Sequence, residues 1–183
     1  MNQVLEIIKN RRSIRKFKPE QIQPEELDKI IEAAIYAPTA RNDQPWHFTI
    51  IQNKELMDYI NLEAKKEMAK SPVDWMAKLG KNEKLNIFHD APTVIIVSGR
   101  KDAVSPLVDC SAAIQNMLIA AESMEIGSCW IGLARHFFIK PKNVEKLDLP
   151  RGYEPYYGVS LGYKASYNNR APERNKNVTN YIK

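Results

Sequence analysis

The sequence predicts a single domain that mixes α-helices with β-strands. The chain has 183 residues, 44% of them hydrophobic, which is enough for one core and within the ordinary globular range. Stretches with apolar residues at helical spacing alternate with short β-branched runs. The longest unbroken apolar runs, such as Val94-Ile95-Ile96-Val97, fall far short of the roughly 20 residues that cross a bilayer, so no membrane span is expected.

Val4, Leu5, Ile7 and Ile8 give residues 2–10 a helical pattern directly after Met1, where a secretory leader would need an uninterrupted apolar core. Cytoplasm is the expected compartment. Residues 11–17 read as extended, because Ser, β-branched and aromatic residues alternate with charges. In an extended backbone Arg11, Ser13 and Arg15 share one face, with Arg12, Ile14 and Lys16 on the other. Two guanidiniums and a hydroxyl then converge, which suits a phosphate or a polar planar ligand.

Pro24, followed by Glu25 and Glu26, opens a helix carrying Leu27, Ile30, Ile31, Ala34 and Ile35 at helical spacing, and Pro38 stops it. Residues 48–51 are expected as a strand, 54–70 as a helix and 93–98 as a strand buried on both faces. Ser105-Pro106 opens the longest helix, running to about Met124, and Gly127 is expected to end it. A strand over 129–133, a short helix over 141–147 and a last strand over 156–161 complete the core. Between Glu67 and Asn86, Ser71-Pro72, Gly80 and several charges break the pattern, so this excursion reads as a mobile flap or as a solvated helix–loop. The tail, 163–183, is polar and basic without a core period, and is expected to wrap a partner or close a site.

Several chemistries lack their motifs. Cys110 and Cys129 have apolar neighbours and no C-x-x-C spacing, and are expected as buried free thiols. His47, His89 and His136 lack metal-box spacing and read as structural. The seven glycines form neither G-x-G-x-x-G nor a P-loop, and Ser128 has no evident base. The net charge of +5 is spread over 27 basic and 22 acidic residues, with aromatics not interleaved among the basic clusters, so a small anionic ligand fits better than a nucleic acid. What remains is cations and amides with no nucleophile, acid or base at their centre, the profile of a protein whose cofactor carries the chemistry.

Four segments share one explanation. Arg11-Arg12-Ser13-Ile14-Arg15 after a helix resembles the N-terminal FMN motif of the nitroreductase family. Residues 37–46, Ala-Pro-Thr-Ala-Arg-Asn-Asp-Gln-Pro-Trp, resemble that family's P-[ST]-x-x-N-x-Q-P-W loop, and 126–132, Ile-Gly-Ser-Cys-Trp-Ile-Gly, resemble its G-S-C-W-I-G segment, with Glu125 in place of a Gly. Glu173-Arg174-Asn175-Lys176 resembles a basic patch in its tail, while 88–92 and 109–116 also resemble family segments. Only about 65–86 is left unmatched.

The resemblance implies an α+β fold: a three-layer α/β/α sandwich around a mixed, mainly antiparallel sheet, formed by one FMN-binding domain over 1–183. It implies an obligate homodimer with two FMN sites at the interface. Arg11, Arg174 and Lys176 are expected near the FMN phosphate, with Arg12 and Ser13 in the same pocket and Arg170 as an alternative tail cation. Arg15 is expected at the pyrimidine edge of the flavin. Asn42 and Gln44 offer amides, Pro38, Thr39 and Ala40 reach the flavin across the interface, and Gly132 with the Ile131 backbone lies where a main-chain N–H approaches N5. No side chain is expected to be catalytic, and no metal, nucleic acid or membrane is implied. The implied reaction is ping-pong transfer of two electrons from NAD(P)H to a nitroaromatic, quinone or similar acceptor. A reductive dehalogenase, an enoate reductase and a flavin-consuming enzyme are alternatives on the same fold, and a non-catalytic flavin binder is one from another class. Arg12 as a surface ion-pair partner, Trp46 as a core anchor and Gly132 as relief of crowding are the plainer readings of those residues. Asp43 departs from the family's small polar residue and is expected to alter flavin potential or substrate charge preference.

Overall fold

The computed structural model describes residues 2–166 and 171–183. Helix α1 (Gln3–Asn10) starts at Asn2, whose side chain accepts the N–H groups of Val4 and Leu5. It buries none of its residues, leaving Val4, Leu5 and Ile8 exposed. Helix α2 (Pro24–Ile35) has its proline in the first turn, where the missing N–H costs nothing, and Glu26 accepts the Gln23 N–H at 2.9 Å. Strand β1 (Trp46–Ile51) leads into α3 (Lys54–Met68), capped by Asn53, and then α4 (Asp74–Lys81). Strand β2 (Thr93–Arg100), helix α5 (Pro106–Ser123), strand β3 (Ile126–Ile131), short helix α6 (Pro141–Val144) and strand β4 (Tyr153–Tyr163) follow.

The strands form one sheet in the order β1-β2-β4-β3, and every pairing between them is antiparallel. An isolated parallel bridge from Ser13 to Ser128 makes the sheet mixed. Strand β2 alternates its side chains between two cores. Ile95 and Val97 pack with α2 and α5 through Ile30, Ala34, Ala113, Ile114 and Met117. Val94 and Ile96 pack with Ile60, Met68, Phe88 and Phe137 beneath α3 and α4. Seven of the eight β2 residues are buried, so the strand is apolar on both faces, and the layers are helix, sheet, helix.

The structure changes four sequence expectations. Gly127 lies inside β3 rather than at the end of α5; the left-handed residue after the helix is Glu125, at φ 60°. Strand β3 therefore begins three residues earlier than expected, and Gly132 and Leu133 belong to a 3-10 turn (Gly132–His136). Strand β4 begins at Tyr153, and Pro155 is tolerated because it faces Ser98 at the register shift, where no regular ladder donor is required. The excursion is a helical hairpin: Met68, Met76 and Leu79 join the second core, and Gly80 lies so close to the Ala69 backbone that a Cβ would collide with it. Residues 171–183 are exposed and outside helices and strands.

Candidate active site

After α1 closes with the Arg11 N–H on the Ile7 carbonyl, the chain runs along the free edge of β3. Ser13 bridges Ser128, and the Ile14 N–H donates to the Ser128 carbonyl at 2.9 Å. Ile14 is buried against Gly127, whose lack of a Cβ makes room for it. The Lys18 N–H then bonds the Tyr163 carbonyl, carrying the segment onto the foot of β4. The edge of the sheet is covered, and the alternate side chains of residues 11–15 are fixed in direction.

Arg11, Ser13 and Arg15 all act electrostatically on the buried thiol of Cys129. Burial pushes that thiol's pKa up, while Arg15, the Ser13 hydroxyl and Arg11 act in the opposite direction. Arg15 also acts on His89, which burial and then the charge of Arg15 hold below the ordinary histidine range, against the pull of Asp90. His89 and Asp90 both adopt left-handed φ, at 58° and 55°. Neither Cys129 nor His89 was singled out by the sequence as part of the site. Cys129 lies in a matched segment and alternates with Ser128, which is a usable signal. His89 also lies in a matched segment, 88–92, although nothing local there links it to residue 15.

Arg12 turns the other way. Its Nη1 donates to the carbonyls of Lys9 and Arg11 at 2.6 and 2.8 Å, capping α1, and its buried Nε has no partner among the described residues. It forms no surface ion pair with an acid among the described residues. Gly132 is exposed, and a Cβ there would meet no atom within 4 Å. Crowding therefore does not explain this glycine, and the space above it is open for a ligand. Ile131 beside it is buried, and Trp46 packs against the α2/α5 core as an anchor.

The Pro38–Gln44 segment forms a second cluster. Pro38 follows α2, Thr39 is extended, and a 3-10 turn (Ala40–Asn42) contains Arg41 and Asn42 at φ 53° and 58°, with Gln44 at 43°. The Gln44 amide donates to Asn42 Oδ1 at 3.0 Å, so the two exposed amides are oriented as a pair. Asp43 points away from them and accepts the Val104 N–H at 2.9 Å, with Arg100 nearby. Ala40 donates its N–H to the buried Asp109 at 3.3 Å.

One copy of the chain does not bring the two clusters together. Ser13 lies beside Ser128, in register with Leu161 and Thr93, whereas the turn precedes Trp46, in register with Gly99. Six residues along β2 and four strand spacings, from the Ser13 segment across β3, β4 and β2 to β1, separate these corners, about 20 Å by about 19 Å. Arg174 and Lys176 are exposed in the tail, and neither forms an ion pair among the described residues. Arg170 lies outside the described residues. No cluster of His, Cys, Asp or Glu among the described residues is arranged to hold a metal ion. Burial, followed by the charge of Asp109, pushes the Cys110 thiol up to about 12, so neither cysteine is a thiolate near neutrality.

Two arginines and a hydroxyl acting on Cys129 of an edge strand, an open glycine just past the end of that strand and a separate amide pair fit a cofactor-dependent enzyme class on a three-layer α+β fold. The chain belongs to the nitroreductase family, whose model matches residues 8–163. A curated relative from Methanothermobacter thermautotrophicus, provisionally named NADH dehydrogenase/NAD(P)H nitroreductase, is 34% identical over 167 residues, 88% of this chain and 78% of its own length. The structure of a nitroreductase with bound FMN from Bacteroides fragilis superposes with TM-score 0.89 at 32% identity, covering all of both chains. One from Desulfitobacterium hafniense, also with bound FMN, gives TM-score 0.85 at 30% identity with the same coverage.

Proposed function

We propose that this chain is an FMN-dependent oxidoreductase that takes two electrons from NAD(P)H and passes them to a small electrophile such as a nitroaromatic or a quinone. The observation that carries this reading is the shared electrostatic action of Arg11, Ser13 and Arg15 on Cys129 at the β3 edge, with open space at Gly132 after the end of that strand and no group among the described residues placed as nucleophile or general base. FMN, when bound, accepts a hydride and returns two electrons; the protein's share is binding, orientation and electrostatics. Arg11 and Ser13 neutralise and hydrogen-bond the phosphate, with Arg174 and Lys176 added from the tail. Arg12 braces the same segment by capping α1. Arg15 places a fixed positive charge at the pyrimidine edge, where reduction builds negative charge. The Ile131 backbone and Gly132 allow close approach at N5.

Asn42 and Gln44, with Pro38, Thr39 and Ala40, serve the flavin of a second copy. The diagonal of roughly 28 Å between the clusters, taken from strand rise and spacing, exceeds what one flavin ring system bridges, which supports a homodimer with FMN at its interface. The exposed Val4, Leu5 and Ile8 of α1 and Val178, Tyr181 and Ile182 of the tail are apolar surface available to it. The hairpin over residues 65–86 frames the opening through which acceptors enter. Cytoplasm is the compartment we assign, in keeping with two unpaired buried thiols; no helix among the described residues is long and apolar enough to cross a membrane.

Reductant and acceptor use the same open face in turn, which makes the kinetics ping-pong. Initial rates measured over a grid of NADH or NADPH against menadione and a nitrobenzoate are expected to give parallel double-reciprocal lines. Intersecting lines, the mark of a ternary complex, reject use of one face by the two substrates in turn. A panel including iodinated phenols and enones separates the dehalogenase and enoate-reductase alternatives, and absence of turnover with every acceptor leaves a flavin binder.

A further inference from the structure

Asp109 is the fourth residue of α5, and only 4% of its surface is exposed. Its Oδ1 accepts the Ala40 N–H at 3.3 Å, while its Oδ2 is buried with no hydrogen-bond partner among the described residues. Buried carboxylate oxygens are normally satisfied, so one left unpaired marks a position kept for something other than stability. The turn above it is strained: Arg41, Asn42 and Gln44 all have left-handed φ, and none is glycine. Such backbone persists only where its surroundings hold it. The other holds come from within the turn, where Gln44 N–H reaches Thr39 Oγ1 at 3.4 Å, and from Val104 N–H to Asp43 at 2.9 Å. The start of α5 and the residues just before it thus grip the turn from below.

We propose that Asp109 is a positioning residue of the flavin site: through the Ala40 N–H its carboxylate holds the 39–44 turn in the left-handed form that presents Asn42 and Gln44 as a pair. This inference rests on the FMN reading above for what the turn serves.

The test uses full-length protein stripped of flavin, titrated with FMN by fluorescence quenching, with backbone hydrogen exchange measured on the same stripped samples. Asp109→Ala removes the acceptor. It is expected to weaken FMN at least tenfold, a change of about 1.4 kcal/mol, and to speed exchange across 39–44 while β2 and the middle of α5 stay protected. Asp109→Asn retains an acceptor oxygen and is expected to stay within about threefold of the parent in FMN affinity, because one acceptor for the Ala40 N–H remains. Ala40→Pro deletes the donor and leaves the carboxylate; Thr39, at φ −135° and ψ 149°, is already in the region that a residue before proline adopts. It is expected to match Asp109→Ala, with the double variant no weaker than the worse single. Unchanged FMN affinity in Asp109→Ala overturns the proposal. So does loss of protection throughout α5 in both Asp109 variants, which marks a purely structural residue. If the unaltered protein binds no FMN, the flavin reading fails by itself, and exchange at 39–44 still decides whether Asp109 holds the turn.

Discussion

Arg15 acts electrostatically on both the Cys129 thiol and His89. Its positive charge is expected to favour reduced flavin, so Arg15→Ala is expected to lower the two-electron midpoint potential by about 30 mV or more, the equivalent of roughly 1.4 kcal/mol; xanthine oxidase-coupled titration measures it. His89 makes a separate prediction. Its folded pKa lies below its unfolded value, so the unfolded chain takes up a proton first as pH falls through about 6.5. Stability held above that pH is lost below it until the folded His89 also protonates. Urea midpoints at pH 7.5 and 5.5 are expected to differ less in His89→Gln than in the parent. Glu125 is the third case. A non-glycine residue at φ 60° costs about 1–2 kcal/mol, so Glu125→Gly is expected to raise the melting temperature by a few degrees. The alternation of Arg11, Ser13 and Arg15 was legible in the sequence because period 2 needs only an extended backbone. The left-handed stop after α5 was misread, because Gly127 is the residue that usually takes such a position and Glu125 took it here.

Among the elements, the strands buried on both faces and the helices opened by Pro24 and Pro106 could be read directly, since their signals are local. Where a boundary depended on a neighbour, the sequence fell short: β4 passes through Pro155 at its own irregularity, where Tyr156 is the extra residue between the partners of Val97 and Ser98. The hairpin of α3 and α4 was ambiguous for the same reason, as Met76 and Gly80 acquire meaning only against Met68 and Ala69. An ion network ties this hairpin's first helix to the start of α6. Lys140 reaches Glu67 at 2.7 Å and Glu63 at 3.4 Å, and Lys66 and Lys70 complete it. Lys140 and Lys70 hold the Glu67 carboxyl down to about 2, so its contribution is present above the ordinary carboxylate range and is lost as pH falls toward 2. Lys140→Ala is expected to move the acid-unfolding midpoint, followed by circular dichroism, to higher pH; an unchanged midpoint would leave the network without weight.

At the scale of the whole molecule, the matched motifs fall at two far corners of one sheet, and the sequence alone gives no distance between them. Sedimentation equilibrium on the flavin-loaded protein is expected to show twice the 21.0 kDa chain mass, with two FMN per dimer. The central claim is that the face built by Arg11, Ser13, Arg15 and Gly132 holds an FMN that nicotinamide cofactor reduces. Anaerobic addition of NADH or NADPH to the purified yellow protein tests it most directly. Full bleaching of the flavin near 450 nm by one equivalent per flavin, and its return on adding an acceptor, is the predicted result. A colourless protein that takes up no FMN, or a bound flavin that neither cofactor bleaches, contradicts it.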